Sequence, residues 1–286
     1  AYRQHEEDWF APATYAAATR WLEQNHQRDD FFLYLDTFDP HEPWDPPHWY
    51  ERLYDPDFRG RRFDAPTYGL VKQLGITRRE MRNIRARYAG EITMVDTALG
   101  RLLGTLERLG IYDETLVIFT TDHGTCFDYP GDNGMLCKAN ILGDDGRVMA
   151  AGKPPVEPMH YYPHYTGVCR IPLLIKLPGQ HQGRRVSAIV QPWDLQPTIL
   201  EAFGMTPPPE LWGQSLLPLA RGEGKPHRTA AVLGTHNSAQ VMTKQWMYTT
   251  YRGQRGPVLY DLKTDPHQSR DVHGKHRAVV QKLRAH

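Results

Sequence analysis

Leu116-Val117-Ile118-Phe119-Thr120-Thr121-Asp122-His123-Gly124 reads as an apolar strand that ends in two adjacent metal-capable side chains and a glycine. A run that is apolar at nearly every position fits a strand of a parallel sheet with helices on both faces. Open α/β sheets build their sites at the carboxyl ends of such strands. Asp122 offers hard carboxylate oxygen and His123 an imidazole, so this edge suits a divalent cation or an anionic substrate. Taken alone, the dipeptide fits equally well a surface turn in which Asp122 caps the next segment.

Outward from this strand, the pattern predicts alternating helices and strands. Pro12 through Gln24 reads as a helix with Tyr15, Ala18, Trp21 and Leu22 on one face, feeding a strand over Phe31–Thr37. Residues 40–66 are proline-rich and read as a long functional loop. Ile84, Tyr88, Ile92, Val95, Leu99, Leu102, Leu106 and Leu109 then recur by threes and fours, the apolar stripe of a long helix that Gly110 ends. Residues 124–168 are polar, glycine-rich and irregular. Strands are expected at 172–177 and 186–190, with a helix over 194–203 that tolerates Pro197 in its first turn. Residues 206–228 form a Pro/Gly-rich linker, and a domain boundary is placed there. Beyond it, 230–232, 240–243, 246–251 and 258–261 read as a meander closed by a helix over 275–283. The expected fold class is α/β, a mostly parallel sheet flanked by helices, with a small carboxyl-terminal antiparallel sheet plus helix.

Composition narrows the function classes. With 34 Lys+Arg against 33 Asp+Glu, the net charge of +1 gives no global field for nucleic acid, so anion binding must be local. Three scattered cysteines, Cys126, Cys137 and Cys169, make a disulfide framework unlike this chain. No apolar stretch approaches the roughly 20 residues that span a bilayer. The compartment, cytoplasmic or periplasmic/secreted, stays open. Trp44, Trp49, Tyr50 and Tyr54 crowd the segment after His41, and Tyr161, Tyr162 and Tyr165 the one before Cys169. Such rings either stack on sugar or aryl groups or anchor their loops.

Five blocks in order resemble the sulfatases of the alkaline phosphatase superfamily. They are Phe31–Trp44 with its His41-x-Pro43, Leu116–Gly124, Gly131-Asp132-Asn133-Gly134-Met135-Leu136-Cys137-Lys138, Cys169–Gly179 with Arg170-Ile171-Pro172, and Leu259–Pro266. Asp194-Leu195-Gln196-Pro197-Thr198-Ile199-Leu200 matches the helix before the last of these. The family's Cys/Ser-x-Pro-Ser-Arg block, source of the formylglycine nucleophile, has no counterpart in this sequence, nor has its first strand with paired aspartates. The resemblance thus implies a carboxyl-terminal portion: a partial alkaline phosphatase-like domain over 1–205, the linker, and an antiparallel α+β subdomain over 229–286.

The resemblance implies a sulfuric ester hydrolase that cleaves a sulfate monoester, on a small molecule or saccharide, with a divalent metal, Ca²⁺ ahead of Mg²⁺. Asp122 and His123 match metal-ligand positions. Lys138 matches the lysine set against a sulfuryl oxygen and the bridging oxygen, and His41 the histidine that contacts sulfate and assists leaving-group protonation. Asn133 stands where many bacterial relatives have histidine; it donates a hydrogen bond but does not titrate. Read without the family, Lys138 is a solvent-facing lysine and His41 a loop cap. Glu91 and Asp96 fall near a site edge in the resemblance, and their helical setting fits a solvated or salt-bridged role as well. The alternatives are phosphonate or phosphate ester hydrolysis on the same scaffold, or an incomplete module that binds sulfated glycans without turnover.

Overall fold

The computed structural model of the chain describes residues 3–138, 164–235, 238–251 and 256–286. They fall into two units, residues 1–67, 75–115 and 178–180 in the first and 68–74, 116–177 and 181–286 in the second. Much of the irregular segment expected over 124–168, with Tyr161 and Tyr162, lies at 139–163, outside the described residues.

The first unit is helical. Its elements are α1 (Phe10–Asn25), the one-turn α2 (His48–Glu51) and α3 (Arg78–Arg108). A capping box starts α3: the Thr77 side chain accepts from the Glu80 amide at 3.2 Å, and the Glu80 carboxylate accepts from the Thr77 amide at 2.8 Å. Gly110, at φ +75°, ends it. Met81, Ile84, Met94, Ala98, Leu102 and Leu106 are buried, whereas Ile92, expected on the apolar stripe, is 43% exposed. At 3.6 residues per turn the stripe drifts, and the fully inward row is Ile84, Glu91, Ala98 and Thr105, seven apart. Gly90 has a packing reason. A Cβ there would meet Pro46 Cγ at 3.1 Å and the backbone at Tyr50 and Glu51 at 3.2 Å, so α2 lies directly against α3.

In the second unit the strands are β1 (Gly69–Leu70), β2 (Val117–Thr120), β3 (Cys126–Phe127), β4 (Met135–Cys137), β5 (Leu173–Lys176), β6 (Ala230–Gly234), β7 (Ser238–Thr243), β8 (Trp246–Tyr251) and β9 (Val258–Asp261). Helices α4 (Thr166–Cys169), α5 (Leu195–Ala202), α6 (Leu217–Arg221) and α7 (Arg277–Arg284) accompany them. The sheets are β1-β4-β3, the pair β2-β5, and the meander β6-β7-β8-β9.

Three expectations are corrected here. Every ladder among the described residues is antiparallel, including β2 with β5 in the register Val117↔Lys176, so a mostly parallel sheet is not what these strands form. An apolar run can pair in either direction, and here the register, with Thr120 opposite Leu173, is that of an antiparallel ladder. Strand β2 is half-buried throughout rather than covered on both faces. Phe31–Thr37 and Val186–Val190 join none of these sheets.

The meander is as expected, and it is buried on both faces. Alternation sends Met247 and Tyr260 toward Cys126, Met135, Tyr165 and Val168 of the hairpin and α4. It sends Val241, Tyr248 and Leu259 toward Leu283 of α7. Residues 206–228 lie within the second unit, carry α6, and end at Arg228, whose guanidinium forks onto the buried Asp194 carboxylate, with one bond at 2.7 Å. The three cysteines are free thiols, and among the described residues no helix is long and apolar enough to cross a membrane.

Gly90→Leu forces new atoms into backbone on the α2 side and is expected to destabilise the first unit by about 1–3 kcal/mol. Gly100 has nothing within 4 Å of a built Cβ. Gly100→Ala is therefore expected to be neutral or stabilising by up to about 1 kcal/mol. Urea denaturation of both variants checks the contrast.

Candidate active site

The end of β2 delivers Asp122 and His123 to an open turn. The Asp122 side chain is 79% exposed and that of His123 36%. One Asp122 oxygen accepts from the His123 amide at 2.7 Å and from the Thr121 hydroxyl at 3.2 Å, and the other lies 3.3 Å from His123 Nε2. Partial burial raises the Asp122 pKa, but the His123 amide, the His123 ring charge and Thr121 outweigh it and hold the carboxyl below its usual range. His123 Nδ1 lies 2.9 Å from the Gly124 carbonyl oxygen, a contact that requires the proton on Nδ1. Nε2 is turned toward the second Asp122 oxygen, so the two side chains present their donor atoms side by side. A backbone-tethered Nδ1–H fixes the tautomer and orientation of the ring, as it does in histidines that ligate metals through Nε2.

Gly124 is required by close approach. Its amide donates to the Val168 carbonyl at 2.7 Å, and a Cβ would sit 2.1 Å from the Gly167 oxygen. From there the chain enters the β3–β4 hairpin, whose register Cys126↔Cys137 sets Lys138 across from Thr125, at the end that Asp122–Gly124 lead into. Lys138 is half-buried. The buried Asp132 carboxylate braces the hairpin loop by accepting from the amides of Phe127 at 2.6 Å and Tyr129 at 3.0 Å. Asn133 sits at φ +50°, a left-handed position that asparagine tolerates. Its Nδ2 donates to the Gln268 carbonyl at 3.1 Å, so its amide is committed to holding the loop.

His41 lies in the first unit, the other four site residues in the second. The His41 ring stacks tilted on Phe38 at 4.6 Å, and Nδ1 donates to the Glu42 carbonyl at 2.6 Å, which fixes the ring's orientation. Its loop is held from within by α3. Arg87 Nε donates to the Trp44 carbonyl at 2.6 Å, and Glu91 accepts from the Asp45 amide at 2.8 Å. At the loop's other end Asp39 accepts from the Ala11 amide at 2.7 Å. Trp44 is fully buried and Tyr50 nearly so, which makes them loop anchors; Trp49 and Tyr54 stay exposed. Glu91 is wholly buried rather than solvated, and its second oxygen has no hydrogen-bond partner among the described residues. Burial, then the charges of Asp39 and Asp45, push its pKa up to about 9 against the Asp45 amide and Arg87. Asp96 is exposed.

Sequence reading missed Asp132, Gln268 and His164 as supports of this site. Gln268 is buried at φ +51°; it accepts from the Thr166 amide at 2.9 Å and donates to the Thr166 hydroxyl at 3.1 Å. His164 is depressed in pKa by burial and by the charge of His123. No local pattern marks the last two; for Glu91 the signal was there, a carboxylate seven residues from both Ile84 and Ala98. Among the described residues no group of three or more His, Cys, Asp or Glu side chains is arranged to hold a metal ion, so Asp122 and His123 supply two suitable donors and no third.

A model of the sulfatase family matches residues 10–205, and one for the carboxyl-terminal region of N-sulphoglucosamine sulphohydrolase matches residues 163–286. The chain belongs to the sulfatase family. It is 31% identical over 219 residues to the multifunctional alkaline phosphatase superfamily protein PehA of Trinickia caryophylli, covering 68% of this chain and 37% of that one. To arylsulfatase K of Xenopus laevis it is 27% identical, covering 93% of this chain and 53% of that one. The chain thus spans about half or less of these relatives' length. In fold it is similar to the phosphonate monoester hydrolase SpPMH from Silicibacter pomeroyi, at a TM-score of 0.73, 23% identity and coverage of 99% of this chain and 60% of that one. It is also similar to a protein solved with its substrate D-glucosamine-2-N,6-O-disulfate, at a TM-score of 0.72, 17% identity and coverage of 96% and 68%.

The buried Glu91 generates a pH prediction. Its folded pKa of about 9 lies above the unfolded 4.5, so the folded state binds more protons between these values and the chain loses stability as pH rises through them. Glu91→Gln removes that titration. Its stability relative to the parent is expected to climb from about pH 4.5, by up to about 1.4 kcal/mol per unit, and to level off above about pH 9. Melting curves across this range check it; parallel curves for the two proteins contradict it.

Proposed function

We propose that this chain serves a sulfuric ester hydrolase, one that cleaves a sulfate monoester carried by a sugar or aryl group. The reading is supported above all by the hairpin register that puts Lys138 at the end reached by Asp122 and His123, within the span of the family match. A sulfate ester is a poor electrophile, and its cleavage needs fixed positive charge against the sulfuryl oxygens. Lys138 supplies a point charge there. For His41 the support is its match to the family's His-x-Pro, and its proposed role is to contact a sulfuryl oxygen and to protonate the departing alcohol oxygen. Asp122 and His123 are the residues that would hold a divalent cation, Ca²⁺ ahead of Mg²⁺. Such an ion polarises a sulfuryl oxygen as a Lewis acid when bound. Asn133, its amide already spent on Gln268, keeps only its carbonyl oxygen and contributes to loop shape more than to an anion.

A phosphonate or phosphate ester is the second reading. It is favoured by the likeness to the phosphonate monoester hydrolase SpPMH, since tetrahedral anions differ little in shape. Turnover of 4-nitrophenyl sulfate against a phenyl phosphonate monoester separates the two, in an enzyme completed with a relative's Cys-x-Pro-Ser-Arg segment. Preference for the phosphonate overturns the sulfatase reading. The 286-residue chain alone, which has no such block, is expected to turn over neither ester above a Lys138→Ala control.

In the completed enzyme Asp122→Ala is expected to abolish activity and metal binding together. Lys138→Ala is expected to lower turnover about 10²-fold to 10³-fold with the metal retained. Asn133→Ala is expected to cost about 1 kcal/mol or less. Rate and bound metal, measured on all three, check the order; full activity in Lys138→Ala defeats the assignment.

A further inference from the structure

We infer that an arginine surface of the first unit, formed where the loop Phe58–Arg62 lies on the first turns of α3, is a docking site for a sulfated polysaccharide. The proposal rests on the sulfate-ester reading for its choice of ligand and extends it to a surface no part of that reading uses. The chain as a whole is near neutral, at +1, yet between Arg52 and Arg87 nine arginines stand against Asp55, Asp57, Asp64 and Glu80. Several of the nine are internal braces. Arg79 forks onto Asp55 at 2.5 and 2.7 Å, Arg61 reaches Glu80 at 3.1 Å, Arg62 reaches Glu51 at 2.8 Å, and the buried Arg87 reaches Asp64 at 2.7 Å. These contacts, with the Arg79 guanidinium 4.7 Å from the Phe58 ring, lay the loop against the helix.

Arg52, Arg59, Arg78 and Arg82 are exposed, and among the described residues none of them makes an ion pair; Arg59 only donates to the Phe58 carbonyl at 3.0 Å. Arg78 and Arg82 are four residues apart in α3, hence on one face and about 6 Å apart along the helix. Exposed guanidinium forks outside any ion pair, of which Arg82 acts at longer range on a carboxylate, Asp55, match the sulfate groups of a polysaccharide, because each fork takes two oxygens of a tetrahedral anion at once. A nucleic acid fits less well. The nearby rings, Phe58 and Phe63, lie against Arg79 and Arg61, and Phe58 is buried, while the exposed Tyr54 is tied to Thr93 farther along α3, so none of the three is an open platform beside Arg78 for a stacking base.

The test is binding of a fluorescent heparin decasaccharide to the full chain at 50 and 200 mM salt. The comparisons are desulfated heparin, a single-stranded DNA of equal charge, and two triple variants. Binding that weakens with salt, and roughly tenfold weaker binding by Arg59→Ser/Arg78→Ser/Arg82→Ser, are expected. A charge-matched control, Arg28→Ser/Arg221→Ser/Arg284→Ser, is expected to bind like the parent, with melting temperatures alike in all three proteins. Equal losses in both triples, no loss in the first, DNA bound as tightly as heparin, or heparin bound no better than its desulfated form each overturn the proposal. The outcome is separable from the hydrolysis reading, because the completed enzyme's turnover of a small aryl sulfate reports on that reading alone.

Discussion

The backbone approach of Gly124 to Gly167 and Val168 is the constraint on which the Asp122 end of the site depends. Two strands of main chain lie close enough that a single Cβ would displace them. That closeness sets where the chain leaves β2, where β3 begins, and through the hairpin register where Lys138 follows β4. The other side of the contact is held in turn. Gln268 grips Thr166 through both ends of its amide, and the Gln240 side chain donates to the His164 carbonyl at 3.1 Å. A loop with so many main-chain partners has little conformational entropy left to lose.

The meander's role follows from the same contacts. Being buried on both faces, it is a wall of the second unit rather than an appendage. Its Gln240 sits between β8 and the site segment, where Thr249 donates to one end of the amide and the other end reaches His164. Fully satisfied buried polar groups of this kind specify a single arrangement, since any slip leaves a donor or acceptor unpaired away from water.

In the first unit the loop of His41 is positioned at a cost. Arg87 and Glu91 reach the main chain of Trp44 and Asp45, and a carboxyl buried beside Asp39 and Asp45 keeps its proton at neutral pH. A leucine at position 91 packs such an interior better but leaves the Asp45 amide without its acceptor. Burying a carboxyl to fix a loop, where an apolar core is available, is the signature of a position under geometric demand.

The sequence by itself determined the helices of two turns or more, the meander and the chemistry of the candidate residues, but not the short helices α2, α4 and α6. These are local matters. A 3.6-residue stripe over Ile84–Leu109 and the alternation over Trp246–Tyr251 each follow from one segment's need to bury one face, and a donor atom's hardness is fixed by its residue type. The tertiary structure alone decided strand direction and polar pairing. Whether Val117–Thr120 runs with or against Leu173–Lys176 depends on how the chain returns between them, which an apolar run does not encode. Nor does a lone Gln268, 135 residues from Asn133, announce that its carbonyl will take the asparagine's proton. Such partners are chosen by what the packed backbone brings within 3 Å, and no spacing rule extends that far.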